Sequence, residues 1–210
     1  MTGERAASAG TITGPAPALT RPALKEWGAA VHALLRGRQT LLLRKGGIHE
    51  KRFTVRDAQF LLYPTVAHSH AASTRPDHAD LLPLGASDVG DGTVVIRAAA
   101  SVVAAIEVTR PENIEALEPL HIWTTASVQA NRIDFRPRHR LTAIVVAVRP
   151  LPRPWVVPVR PESGGCRWWV DLIADDSAGA PVAGGPDGGA PARSAAELAE
   201  IADHVRQLVG

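Results

Sequence analysis

Apolar positions along the chain fall into blocks of different period. Between Pro22 and Arg36, residues Leu24, Trp27, Val31, Leu34 and Leu35 recur mostly at three- and four-residue intervals, the spacing of one helical stripe. Pro22 suits a first turn and Gly37 a stop, so the spacing predicts a helix over 22–36. Thr40–Arg44 is a continuous apolar run ended by Gly46 and Gly47, and reads as a short buried strand. Gln59–Tyr63 reads as a second strand, closed by Pro64. Residues 65–92 read as a long loop with a helical turn around Pro76–Leu82. Two further strands are expected over Thr93–Arg97 and Ser101–Val108, and short helices over Pro111–Leu117 and Thr124–Arg132. Leu141–Arg149, β-branched at its centre, is the strongest strand signal. Trp155–Val159 and Arg167–Leu172 read as edge strands, because the prolines at 150, 152, 154, 158 and 161 cannot donate to an interior ladder.

The domain organisation follows from the same pass. Residues 1–20 are small and polar and predict a disordered arm. Residues 21–174 make one core domain. Residues 175–193 are a low-complexity, flexible linker. Ser194-Ala-Ala-Glu197 is a capping box that opens an amphipathic helix over 194–210, with Leu198, Ile201, Val205 and Leu208 on one stripe. Strands outnumber helices and do not alternate with them. The expected class is therefore α+β: a mostly antiparallel, barrel-like sheet with peripheral helices and a tethered C-terminal helix. That helix packs back on the core or serves a partner or a second copy of the chain.

Composition narrows the class. With 45% apolar and 21% charged residues in 210, the chain is not collagen, coiled coil or wholly disordered. No apolar run approaches the roughly 20 residues of a membrane span. The N-terminus lacks the apolar core of a secretory signal. A lone cysteine, Cys166, excludes an internal disulfide and a multi-cysteine zinc site. The expectation is a soluble, cytoplasmic, bacterial-type protein without membrane association or cofactor.

Net charge is only +2, but it is unevenly spread. Residues 36–56 carry seven basic groups against Glu50, and residues 132–160 carry seven arginines against Asp134. Each block is +6, and the stretch between them is −6. Such blocks predict an anion-binding face if folding joins them, and two solvated faces if it does not. Only three of the 23 basic residues are lysine, and Lys45 and Lys51 are two of them, which marks places where a compact ammonium is wanted.

Three segments are candidates for chemistry. Arg44-Lys-Gly-Gly-Ile-His-Glu-Lys51 leaves a strand through Gly46 and Gly47, whose backbone N–H groups can approach an anion. Lys45 and Lys51 supply charge there, and His49 and Glu50 exchange protons or read a polar edge. His121 and Trp123, two apart, share one face of an extended segment and offer a polar and a stacking surface side by side. Arg132, Arg136, Arg138 and His139, interleaved with Phe135, form a phosphate-contact strip. Tyr63, the lone tyrosine, stands at a strand end, where it stacks on a ligand or fills the core. His68, His70 and His78 near Asp77 match no metal spacing, so no metal site is expected. A nucleophilic role for Cys166 would need a base brought in by folding.

The chain resembles an uncharacterised bacterial family, domain of unknown function 1802. The resemblance rests on Ala23-Leu-Lys-Glu-Trp27, the run from Leu42 to Lys51 that contains GGIHEK, Phe60-Leu-Leu-Tyr-Pro64, His121-Ile-Trp-Thr124, Arg136-Pro-Arg-His139, and Gly165-Cys166 with Trp169. It spans residues 22–172 and implies no particular activity. Glu162, Ser163 and Trp168 depart from the family's pattern beside the cysteine. Leu34–Arg44 is also similar to the pseudouridine-synthase-and-archaeosine-transglycosylase (PUA)-like group and its ASC-1 homology branch. That likeness implies a small β-barrel that binds RNA or modified bases.

The leading expectation is a non-catalytic nucleic-acid-binding module for RNA, single-stranded DNA or a modified base. In it Arg44, Lys45, Lys51 and the 132–140 arginines hold phosphates, Trp123 and Tyr63 stack, and His49, Glu50 and His121 read base edges. One alternative is an enzyme acting on a phosphate ester or nucleotide, with His49 or His121 as general acid/base and Glu50 as base. Another is a partner-binding protein, or a homodimer, that uses residues 194–210.

Overall fold

The computed structural model describes residues 19–46, 51–165, 167–174 and 189–210. Within them lie seven strands: β1 (Leu19–Trp27), β2 (Leu41–Lys45), β3 (Gln59–Thr65), β4 (Val89–Gly90), β5 (Thr93–Glu107), β6 (Leu141–Pro158) and β7 (Trp169–Ala174). Five α-helices accompany them: α1 (Gly28–Leu35), α2 (Ser69–Ser73), α3 (Leu82–Ser87), α4 (Thr125–Val128) and α5 (Ala195–Val209). Tighter 3₁₀ turns span Pro76–Leu81 and Pro111–Leu120, and a π turn spans Gln129–Asp134.

One sheet runs in the order β2-β6-β5-β3-β1-β7, with β4 added to β5. Only β1 and β3 are parallel; every other pair is antiparallel. The α+β class and the mostly antiparallel pairing are as expected. The terminal strands β2 and β7 do not pair with each other, so the sheet is open and barrel-like describes it only loosely. Among the described residues no helix is long and apolar enough to cross a membrane.

The first element differs from its prediction. Residues 19–27 are a strand, and the helix starts only at Gly28. β1 lies between β3 and β7 and is covered on both faces, so Ala23, Leu24 and Glu26 are all buried and no two-residue alternation shows in the sequence. Pro22 sits where β1 pairs with β7 alone, because pairing with β3 begins at Ala23. The same rule lets β3 continue through Pro64, beyond the end of its pairing with β5 at Leu61.

The two strands expected between 93 and 108 are one long strand. It pairs with β6 over Thr142–Pro150 and Trp155–Pro158, through two register shifts at Ile96/Ala98 and Val102/Ala104. Near its start β6 lies between β2 and β5. Past Val146 it is an edge, and there its prolines 150, 152, 154 and 158 are tolerated. In the segment 65–92, expected as a long loop with one helical turn around Pro76–Leu82, that turn is present as the 3₁₀ turn Pro76–Leu81, and α2 and α3 flank it where loop was expected.

The core has three parts. Leu24, Leu42, Phe60 and Ile144 anchor one cluster, and Leu61, Tyr63, Ile96 and Trp155 anchor another. The third joins Leu41, Leu43, Ile106 and Leu141 to Leu198, Ala202, Val205 and Val209 of α5. The capping box at Ser194 and Glu197 is formed, and the apolar stripe of α5 is taken up by the chain's own sheet. Between α1 and α3 the backbones touch: a Cβ on Gly28 would stand 2.6 Å from the Gly85 oxygen. Of the arm expected over 1–20, residues 19 and 20 belong to β1 and residues 1–18 lie outside the described residues, as do 175–188 of the linker and Cys166.

Candidate functional site

Two of the three candidate segments meet where β2 ends, and the third abuts them. Lys45, the last residue of β2, turns its ammonium onto main-chain carbonyls at the end of the π segment and in the turn after it. Nζ donates to Ile133 O at 3.1 Å, Phe135 O at 2.5 Å and Arg136 O at 3.0 Å. Arg132 Nε donates to Leu43 O at 3.1 Å, covering the open edge of β2. His139 Nδ1 lies 3.4 Å from Gly46 O, and Arg140 N–H donates to Lys51 O at 2.8 Å. The basic blocks around 44–52 and 132–140 are therefore stitched together by hydrogen bonds to main-chain carbonyls. Gly47, His49 and Glu50 lie outside the described residues.

Several cations of this region point inward. Arg44 is 3% exposed. Its Nη2 donates to Glu26 Oε2 at 2.6 Å and to Lys25 O at 2.5 Å, and its guanidinium lies 4.8 Å from the Trp168 ring centre. Burial lowers its pKa, against the opposing charge of Glu26. Burial likewise brings Arg132 down to about 10, helped by the nearby charge of Arg44. Arg44 and Lys45 thus hold the fold together and are not presented to a ligand as the sequence predicted: each is desolvated, Lys45 spends its ammonium on carbonyls of this chain, and Arg44 commits Nη2 to Glu26 and Lys25 while its buried Nε has no partner among the described residues.

The predicted stacking and proton-transfer residues are also interior. Tyr63 is buried among Leu61, Ile96 and Trp155. Trp123 is 3% exposed and packs edge-on to Trp27, with ring centres 6.1 Å apart. His121 is buried beside it, and its Nδ1 accepts from the Trp123 backbone N–H at 3.3 Å. Burial pushes His121 down to about 4, with the charge of Arg75 adding to the effect. A closed-in, neutral imidazole does not serve as acid or base for a ligand in solvent, so the phosphate-ester reading loses His121. Tyr63 and Trp123 offer no face for stacking. Trp123 meets the basic segments from behind: with Trp27, Ser127, Asn131 and Arg132 it lines a void of about 10 Å³, no larger than one water.

What remains accessible is a cleft of about 480 Å³. Lys45, Arg132, Arg138, His139 and Arg140 line one side, and Val108, Thr109 and Pro111 contribute to its wall. At and around its rim Lys51, Arg52, Arg138 and Arg140 are exposed, while Arg136 and His139 are half-buried. Arg140 and Arg52 share Glu107 as counter-ion. Lys51, Arg136 and Arg138 form no ion pair among the described residues. Among these residues no three His, Cys, Asp or Glu side chains converge as a metal site would require.

Some contacts in and around this region were not foreseen from the sequence. Glu26 is the buried carboxylate partner of Arg44. Trp27 stacks on His70 with ring centres 3.8 Å apart, and burial holds His70 down at about 4. Asp88, fully buried, accepts from Arg97 at 2.6 Å and lies 2.8 Å from His32, tying β5 to α1. These partners are far apart in sequence, and no local pattern marks them.

A family model described as Domain of unknown function (DUF1802) matches residues 23–186. No curated protein matches the chain. Two crystal structures of an ASCH protein from Zymomonas mobilis, one of them of a mutant, share parts of its outline. The mutant superposes with a TM-score of 0.39 at 13% identity, the other with 0.38 at 14%. Each superposition covers 68% of this chain and 89% of the other.

Proposed function

This chain belongs to the DUF1802 family, and from that premise we propose that it binds nucleic acid through its sugar–phosphate backbone, at the basic cleft beyond the end of β2. The observation that carries this reading is the rim of Lys51, Arg136 and Arg138. Lys51 comes from one basic block and Arg136 and Arg138 from the other. Arg138 lines the cleft, Lys51 and Arg136 are tied by their carbonyls to its lining residues Arg140, Lys45 and His139, and none of the three has a carboxylate partner among the described residues. Cations without a carboxylate partner have no ion pair to give up, and a phosphate can take them directly. The cleft floor adds Arg132 and His139. Arg44 and Lys45 act one layer beneath, fixing where the rim stands.

The test is the salt dependence of binding. Three phosphates neutralised predict a log–log slope of about −2 on single strands between about 50 and 200 mM salt. Labelled RNA and DNA oligonucleotides, followed by fluorescence anisotropy, would give that slope. A variant with Lys51→Ala, Arg136→Ala and Arg138→Ala should lose both the affinity and the slope. Absence of binding at low salt up to roughly 100 µM protein would overturn the proposal.

A further inference from the structure

Of the chain's five tryptophans, one tyrosine and three phenylalanines, only Phe135 is exposed, at 56%. It stands inside the arginine strip, and its position is built. Its own N–H donates to Ala130 O at 3.1 Å, closing the π turn. Its carbonyl and that of Arg136 accept from the Lys45 ammonium. Arg136 follows with φ of +51, a left-handed conformation that non-glycine residues seldom adopt. The guanidinium of Arg136 lies 5.0 Å from the Phe135 ring centre, against one face, and its carbonyl is held in turn by the His139 N–H at 2.9 Å. A phenyl ring left in water by chance needs no such scaffold. Here a desolvated ammonium and a left-handed residue fix the turn that presents it.

We propose that Phe135 is a stacking platform for one unpaired nucleobase, and that the surface therefore prefers single strands to duplex. The inference rests on the nucleic-acid reading above and gives it a substrate class. Every base has a π face, so stacking tolerates sequence, but bases inside a duplex have both faces covered by neighbours. A base on the ring would leave its flanking phosphates beside Arg136 and Arg138, where the charge is complementary. Trp123 and Tyr63 are closed to such a role by burial.

The experiment compares the full chain with Phe135→Ala, Phe135→Leu and Phe135→Tyr on labelled oligouridylate and on the duplex it forms with oligoadenylate. Phe135→Ala and Phe135→Leu should weaken single-strand binding by about 5- to 150-fold. Their salt slope should be unchanged, because no phosphate contact is removed. Phe135→Tyr should bind as the parent does, and duplex affinity should barely move in any variant. Parent-like single-strand affinity in Phe135→Ala, rescue by leucine, or equal losses on both ligands would sink the platform and leave the backbone reading standing. If the parent binds neither ligand, both proposals fall together.

Discussion

Acid should destabilise this fold through His121, by an amount that follows from its burial. The ring is 1% exposed, its Nδ1 accepts the Trp123 backbone N–H, and its pKa is held at about 4 against an ordinary 6.5. A histidine whose folded value is depressed is neutral in the fold and takes up a proton on unfolding. Its contribution to stability is therefore complete above about pH 6.5 and is lost as the pH falls toward 4. At about 1.4 kcal/mol per tenfold change in proton affinity, the ceiling is roughly 3 kcal/mol, and about 2.5 kcal/mol of it is gone by about pH 4.5. His121→Asn keeps an acceptor near Nδ1 and removes the titration. Urea unfolding followed by tryptophan fluorescence, for parent and variant at about pH 7 and about pH 4.5, isolates the term, because the carboxylates titrate alike in both. The parent should lose about 2.5 kcal/mol more than the variant over that range. Equal losses would show that the imidazole is solvated in the folded state, and the argument from burial would fail.

Other outcomes follow from close contacts and buried charge. Gly85→Ala places a Cβ 2.3 Å from Ala29 N, so overpacking of about 1–3 kcal/mol should outweigh a helix-propensity gain of up to about 1 kcal/mol; a melting temperature at or above the parent's would refute this. Lys45→Met leaves three carbonyls without their ammonium, at a cost of about 1–3 kcal/mol, and the amides of Phe135 and His139 should exchange hydrogen faster; unchanged exchange would refute the clamp. Glu26→Gln removes the buried counter-charge of Arg44 and should cost about 3–5 kcal/mol in chemical denaturation, with Glu26→Gln/Arg44→Met regaining most of it; parent-like stability of the single variant would contradict a desolvated pair.

Much of the strand content was legible because it depends on local runs. Leu41–Lys45, Gln59–Thr65 and the start of β6 are apolar stretches bounded by glycine, proline or charge, and each lies within a few residues of its expected place. Misreadings occurred where tertiary context decides. Leu24, Trp27, Val31 and Leu34 fit a helical stripe only because a strand covered on both faces shows no alternation of its own. Prolines marked interruptions in the sequence, whereas in the fold they mark places where a strand has lost one neighbour: Pro22 before β3 joins, Pro64 after β5 leaves, and the β6 prolines after β2 ends.

The candidate site was legible in location and not in roles, for one physical reason. Counting charge along the chain treats every cation as solvated, yet a side chain's fate depends on partners far away in sequence. Arg44 meets Glu26 through the sheet, and Lys45 meets carbonyls some ninety residues on. The scarcity of lysine at 45 did carry information, but about shape: three carbonyls converging on one point suit a compact ammonium and not a planar fork. The inward cations lie in β2 and at its covered edge, while Lys51 and Arg138, exposed, and Arg136, half-buried, lie past the strand's end. The division between scaffold and surface within each basic block thus falls where the ladder stops. A substitution on the scaffold side should change stability first and binding second, and one on the surface side should do the reverse.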